Sequence, residues 1–378
     1  MRIRYLFLAM VISIAFTGGY FTGAVSGNND SYKTKKIAHS AQSAKNPVQK
    51  TIPNLKAEPS KVLIGYVQDF RNPAIIDYEK LTHVIFSFAH PGKDGSVIMN
   101  DAAINNLRAI ILNAQKYDTK VILAIGGWFH IQGGESYDYF RTAIADTNSR
   151  SRLVKELLHI VDREKLDGID IDFEHPRNQE DAQSLAAFAK ELSEQLHPKG
   201  KELSIAVNAK VHSGTGTDIH SVVFESSMFR YVDYVNIMAY DGHWDDGYNA
   251  ANLSPFSYTE NIVAYWTSLF ESLNLSKEKL VLGVPFYAQP EDPAIKQVSY
   301  AALIDENPEN AGRDTAKMNG TTYHYNGDET MQRKTKLALD HGLGGMMIWE
   351  AGHDAEGPYS LAGTILEVIT KLEGEVAL

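Results

Sequence analysis

Leu166-Asp167-Gly168-Ile169-Asp170-Ile171-Asp172-Phe173-Glu174 is the stretch on which the reading of this chain turns. It alternates with the two-residue period of a β-strand, in which successive side chains point to opposite faces. Ile169, Ile171 and Phe173 share one face, suited to packing beneath helices. Gly168, Asp170, Asp172 and Glu174 share the other, which in a closed barrel points inward. Three carboxylates on one inner face are costly, because burial disfavours each charge and neighbouring negative charges disfavour one another. A purely structural role accounts poorly for such a row, and a solvated edge strand would leave the uniformly apolar face uncovered. The row is therefore a candidate for chemistry.

Working outward, short apolar runs alternate with amphipathic stretches from Lys61 onward. Strands are expected at Val62–Val67, His83–Phe88, Val121–Ile125, Gly168–Phe173, Leu203–Val207, Tyr234–Met238, Leu280–Val284 and Gly345–Trp349. Helical patterns occupy 101–117, 136–163 (broken near Asn148), 180–197, 218–230, 258–273, 328–341 and 359–372. Eight β-then-α units point to an α/β protein of the TIM (β/α)8 barrel type rather than a doubly wound sheet, although count alone fits both. In a barrel, function gathers at the C-terminal ends of the strands. Those ends carry Tyr66, Phe88, Gly126-Gly127-Trp128, Asp172-Phe173-Glu174, Met238-Ala239-Tyr240-Asp241, Phe286-Tyr287 and Trp349-Glu350, and the strand starts carry nothing comparable.

The remaining composition narrows the choices. The chain of 378 residues contains no cysteine, which removes disulfides, thiolate metal sites and a Cys nucleophile. Its net charge of -11 argues against nucleic acid or an anionic membrane surface as partner. The charge is uneven: residues 1–60 hold eight basic and two acidic side chains, net +6, which leaves residues 61–378 at -17. Arg2 and Arg4 precede the apolar run Tyr5–Phe16, and Ala24-Val25-Ser26 offers a small-residue cleavage site. Residues 1–26 accordingly read as an export signal, or as a membrane tether if left uncleaved, and 27–60 as a flexible basic linker. The body, 61–378, is expected to act outside the cytoplasm or in the envelope, as a monomer.

Two chemistries suit the acidic row. A divalent metal site would draw further ligands from neighbouring strand ends, and His90, His130 and His175 do follow the second, third and fourth strands. They lack a paired spacing such as H-x-x-x-H, and read instead as hydrogen-bonding residues of the cleft. Alternatively, carboxylate crowding raises the proton affinity of the last member, Glu174, and equips it to protonate a leaving oxygen.

The segment Asp167–Glu174 resembles the D-G-x-D-x-D-x-E signature of glycoside hydrolase family 18, the chitinase-like barrels. Lys120–Trp128 is similar to that family's S-x-G-G element followed by Trp, and Met238-Ala239-Tyr240-Asp241 to its M-x-Y-D. Gly283–Tyr287 resembles G-x-P-F-Y, and Gly345–Trp349 resembles G-x-M-x-W. The resemblance runs over residues 61–372 in order and implies a retaining, substrate-assisted hydrolysis of β-1,4-linked N-acetylglucosamine. On that pattern Glu174 is the general acid and base, and Asp172 orients the acetamido group and stabilises an oxazolinium ion. Asp170 shares a proton with Asp172, and Tyr240 holds the acetamido oxygen. Trp349 forms the floor under the sugar with Met238 beside it. Trp128, Trp244, Asp241, Tyr66, Phe88, Tyr287, Gly126 and Gly127 contribute the remaining substrate contacts, whereas Trp266 reads as helix packing. Neither metal nor cofactor is implied.

Two departures from the family pattern stand out. Ala124 occupies the position of the serine of S-x-G-G, whose hydroxyl supports the buried aspartates in the family. The segment between the seventh and eighth strands is too short for the full insertion subdomain of larger chitinases, so an open, shallow cleft suited to soluble chitooligosaccharides is expected. The same motifs leave open an endo-β-N-acetylglucosaminidase of N-glycans, a peptidoglycan-directed relative, and a non-catalytic chitin-binding lectin. Lectins of this type lose the last acid of the signature, which is present here as Glu174.

Overall fold

Eight parallel strands close on themselves in the computed structural model, which describes residues 61–376 apart from residue 246. They are β1 (Val62–Gln68), β2 (His83–Pro91), β3 (Lys120–Gly126), β4 (Gly168–Asp172), β5 (Glu202–Asn208), β6 (Tyr234–Met238), β7 (Leu280–Pro285) and β8 (Gly345–Trp349). Each pairs with its neighbours in chain order, and β1 pairs with both β2 and β8, which shuts the barrel. The expected signal and linker lie outside the described residues.

The period-two alternation sorts the side chains into two cores. Val62, Ile64, Tyr66, Ile85, Ile122, Ala124, Val281 and Met347 fill the barrel interior. Ile169, Ile171 and Phe173 point outward into the layer beneath the helices. There the Phe173 ring stacks on Phe140 at 4.9 Å and on Tyr137 at 5.7 Å.

The helices are α1 (Asp101–Ala114), α2 (Tyr137–Ala145), α3 (Thr147–Glu164), α4 (Gln179–Leu196), α5 (Phe256–Ser272), α6 (Tyr300–Glu306), α7 (Asp328–Asp340) and α8 (Leu361–Val376). The expected break in the 136–163 pattern falls at Asp146, whose carboxylate accepts from the backbone N–H groups of Asn148 and Ser149 and so starts α3. Trp266 of α5 is fully buried and donates from its indole nitrogen to the Ala209 carbonyl at 3.2 Å.

One expected helix is absent. Residues 218–230 run without regular structure up to a 3-10 turn at Ser226–Arg230. The cause is a buried cation: the Lys210 ammonium donates to the carbonyls of Ile219 and Val222, and the Val223 N–H donates to the Pro176 carbonyl. These backbone groups are satisfied by distant partners, so the segment has no need of helical bonds.

The connection between β7 and β8 carries more structure than its length suggested. Strands at Tyr287–Pro290, Val298–Ser299, Thr315–Met318 and Thr321–His324 form a four-stranded antiparallel sheet, with α6 between the second and third. The two ends of the barrel also differ. At the N-terminal end of the strands, Glu202 accepts from Lys120 at 2.5 Å and lies 3.0 Å from the His83 ring, a paired charge cluster. At the C-terminal end Glu350 is ion-paired with Arg71, whereas Asp172 Oδ1 has no hydrogen-bond partner among the described residues.

Candidate active site

The register of β3, β4 and β5 sets Asp170 between Ala124 and Ser204, and sets Asp172 beside Gly126. Asp170 is fully buried yet well supplied with donors. Tyr66 Oη donates to its Oδ2 at 2.8 Å, Ser204 Oγ to its Oδ1 at 2.5 Å, and Asn236 Nδ2 to its Oδ1 at 3.3 Å. Burial raises its proton affinity and these three donors pull it back, leaving it at about 6. Asp172 is almost as buried, and its Oδ1 makes no hydrogen bond among the described residues. Burial, then the charges of Glu174 and Asp170, push its carboxyl well above the usual range.

Glu174 lies just past the end of β4 with 18% of its side chain exposed. Burial pushes its carboxyl up to about 8, assisted by the charges of Asp241 and Glu135. Desolvation leads, and the charges of Asp241 and Glu135 reach Glu174 from the loops after β6 and β3. The crowding expected within the acidic row acts between Glu174, Asp170 and Asp172. Glu135 itself forms an ion pair with Arg177, which stacks over Tyr137 at 3.7 Å. His175 lies 3.8 Å from Glu174, and burial, then the Arg177 charge, lower its imidazole to about 4, so it is neutral at pH 7.

Glycines make this approach of strands feasible. Gly126 and Gly127 have φ of +125° and +80°. A methyl group on Gly126 would sit 2.1 Å from the Asp172 carbonyl oxygen, and one on Gly127 2.7 Å from the Phe88 ring. Gly283 on β7 leaves room for Tyr240 and Met347, since a Cβ there would lie 3.1 Å and 2.6 Å from them.

Beyond β6, Tyr240 is buried, with its hydroxyl 3.8 Å from Met347 Sδ. Burial, then the neighbouring carboxylates led by Asp241, hold that hydroxyl firmly protonated. The backbone there is anchored from below. Ser254 Oγ donates to the Ala239 carbonyl at 2.5 Å and accepts from the Lys334 ammonium at 2.7 Å. Lys334 is fully buried, and desolvation lowers it to about 7.

The aromatic residues divide into floor, rim and support. Trp349 is half-buried at the barrel mouth, its ring 6.0 Å from Phe88 and 5.6 Å from Tyr66. A register irregularity between Phe86 and Ala89 accompanies the inward placement of Phe88. Met238 packs into the same inner cluster. Trp128 and Trp244 stand exposed at 39% and 38%, the first edge-on to His175 and the second against Tyr248. Tyr66, inside β1, and Tyr287, just past β7, are buried, and their hydroxyls donate to Asp170 and Asp241. His90 and His130 are also buried, at 5.3 Å from one another, and His130 stacks on Tyr139. The His130 Nε2 lies 3.1 Å from the Pro91 carbonyl at the end of β2.

Residues 62–354 match the sequence pattern of Glycosyl hydrolases family 18. The chain belongs to this family. The family 18 barrel is 25% identical to a GH18 chitinase of Flavobacterium johnsoniae, with a TM-score of 0.69 over 83% of this chain and 95% of that one. A chitinase of Bacteroides thetaiotaomicron gives the same identity and TM-score over 82% and 97%. Among curated relatives, Probable chitinase 10 of Drosophila melanogaster is 27% identical over 77% of this chain. Endochitinase 1 of Metarhizium robertsii is 23% identical over 77% of this chain and 80% of its own length. The chain spans only 13% of Probable chitinase 10 and 34% of Probable chitinase 2, also of Drosophila melanogaster. A chitinase-like agglutinin of Robinia pseudoacacia shares the fold at 16% identity and a TM-score of 0.66, over 81% of this chain and 99% of that one.

Several residues of this family 18 site escaped the sequence reading. Ser204, Asn236 and Met347 occupy inward positions of β5, β6 and β8 that the alternation of their apolar neighbours could have exposed. Glu135 and Lys334 left no such signal, since they come to the site through a loop and a helix.

Proposed function

We propose that this chain hydrolyses β-1,4-linked N-acetylglucosamine by a retaining, substrate-assisted mechanism, with Glu174 first as general acid and then as general base. The observation that carries the reading is a carboxyl held protonated at neutral pH by burial, two residues beyond an Asp whose Oδ1 is left without a donor among the described residues. Glu174 delivers its proton to the glycosidic oxygen as the C1–O bond breaks. The carbonyl oxygen of the substrate's own 2-acetamido group attacks C1, so the enzyme supplies no nucleophile. Asp172 accepts the acetamido N–H, and the negative charge of the Asp170–Asp172 pair, which holds one shared proton, offsets the positive charge of the oxazolinium ion. Tyr240 donates its hydroxyl to the acetamido oxygen and fixes the angle of attack. Ionised Glu174 then takes a proton from water as the water opens the ring at C1. Two inversions leave the β configuration.

Trp349, with Met238 and Phe88 beside it, is the surface under the distorted sugar, and Trp128 and Trp244 flank the cleft. The exported location follows the same reading, with 1–26 as signal and 27–60 as linker. The names of relatives, an endochitinase and a GH18 chitinase among them, support a chitin-type substrate for this chain. The test is to incubate the purified protein with chitotetraose, an N-glycopeptide and peptidoglycan, each with and without EDTA. The expected result is cleavage of chitotetraose alone, unaffected by EDTA and declining as pH rises through about 8, where Glu174 loses its proton. Binding of chitotetraose without turnover would replace this reading with a lectin. Cleavage of only the N-glycopeptide or peptidoglycan would change the substrate.

A further inference from the structure

The geometry points to Ser204 as a positioning residue of the Asp170–Asp172 pair, supplying from β5 the hydroxyl that Ala124 on β3 does not provide. The inference deepens the proposed function and rests on it for its kinetic readout. Three parallel strands set residues 124, 170 and 204 side by side in register, and all three are fully buried. Asp170 therefore has a methyl group on one flank and a hydroxyl on the other. The hydroxyl makes the shortest bond the carboxylate receives, 2.5 Å to Oδ1, against 2.8 Å from Tyr66 to Oδ2 and 3.3 Å from Asn236 to Oδ1.

The consequence is an unequal pair. Asp170 has three donors, whereas Asp172 Oδ1 has none among the described residues. Donors stabilise the ionised form of the group that accepts them. Burial and repulsion between two carboxyls on the same face of β4 disfavour a double charge, so the charge settles on Asp170 and the proton on Asp172. A protonated Asp172 can donate toward Glu174 through one oxygen while the other accepts the acetamido N–H. Removing the Ser204 hydroxyl takes away the shortest of the donors and moves the shared proton toward Asp170, where it does nothing for the substrate.

The test compares the parent with Ser204→Ala, Ala124→Ser and the double variant on chitotetraose across pH. Ser204→Ala should lower kcat about tenfold with little change in KM, and shift the acid limb of the profile up by about one pH unit, the size expected for one hydrogen bond to a charged group. The double variant should recover both, because the register places its new hydroxyl against the other flank of Asp170. A Ser204→Ala profile superimposable on the parent overturns the assignment. So does a double variant that melts like the parent and recovers nothing, since the β5 position would then matter for packing alone. Should the parent itself turn over no chitotetraose, the proposed function fails, and NMR titration of protein labelled at the Asp carboxyl carbons still decides the point. One buried Asp carboxyl should titrate at higher pH in Ser204→Ala than in the parent, and an unmoved midpoint overturns the assignment.

Discussion

Glu174→Gln should lose hydrolysis of chitotetraose by about 10²–10⁴-fold, the range contributed by a positioned general acid, while chitotetraose binding stays within a few-fold. The substitution is unusually clean at this site. Burial, with the charges of Asp241 and Glu135, keeps the carboxyl protonated at neutral pH, so the amide replaces one neutral group by another of the same shape. The melting temperature should therefore not move, and lost rate can be assigned to the missing proton. A substrate with a good leaving group, such as a 4-nitrophenyl glycoside, should restore part of the rate, because its departure needs no acid. Turnover of chitotetraose at near-parental rate by Glu174→Gln would remove the residue from the assigned role.

Asp172→Asn should also be severe, on the order of 10²–10³-fold in kcat, the cost of removing a group aimed at charge that develops in the transition state. Its pattern should differ from that of Glu174→Gln. Stabilising the oxazolinium ion is needed whatever the leaving group, so the 4-nitrophenyl substrate should bring no recovery. The contrast separates two carboxyls that sit two residues apart. Recovery in both variants would mean that Asp172 assists departure of the leaving group and not the cation. Folding should be preserved, since Asp172 Oδ1 holds no hydrogen bond among the described residues that the amide could break.

Much of this site can be read in the residues themselves, and the reason is geometric. Along β4 the two-residue period assigns Ile169 and Ile171 to the outer core and Asp170 and Asp172 to the barrel interior with no help from any other strand. Gly126 and Gly127 announce a turn that only glycine permits, and the structure supplies the reason in the carbonyl of Asp172 and the ring of Phe88. What the sequence withholds is what depends on two distant segments meeting. The partners of Asp170 are Tyr66, Ser204 and Asn236, from three other strands. Each lies inward on its strand, but their convergence on one carboxylate follows from barrel register. The helix expected over 218–230 fails for a similar reason: Lys210, well upstream, claims the carbonyls of Ile219 and Val222. Local apolar spacing cannot register a competitor of that kind. Glu174 shows the same limit in its electrostatics, since the charges that assist its protonation, Asp241 and Glu135, come from other loops.

The departure at Ala124 also takes on a different meaning in three dimensions. In sequence it is the loss of a hydroxyl near the acidic row. Within the barrel, the neighbouring strand places Ser204 against the same carboxylate, and Asp170 retains three donors.

The measurement that tests the account most directly is the configuration of the sugar first released from chitotetraose, followed by proton NMR before the anomers equilibrate. Attack by the substrate's own acetamido group, followed by water on the opposite face of the oxazolinium ion, predicts the β anomer as the initial product. An initial α anomer would mean a single displacement by water, and would contradict the substrate-assisted mechanism assigned to Glu174, Asp172 and Tyr240.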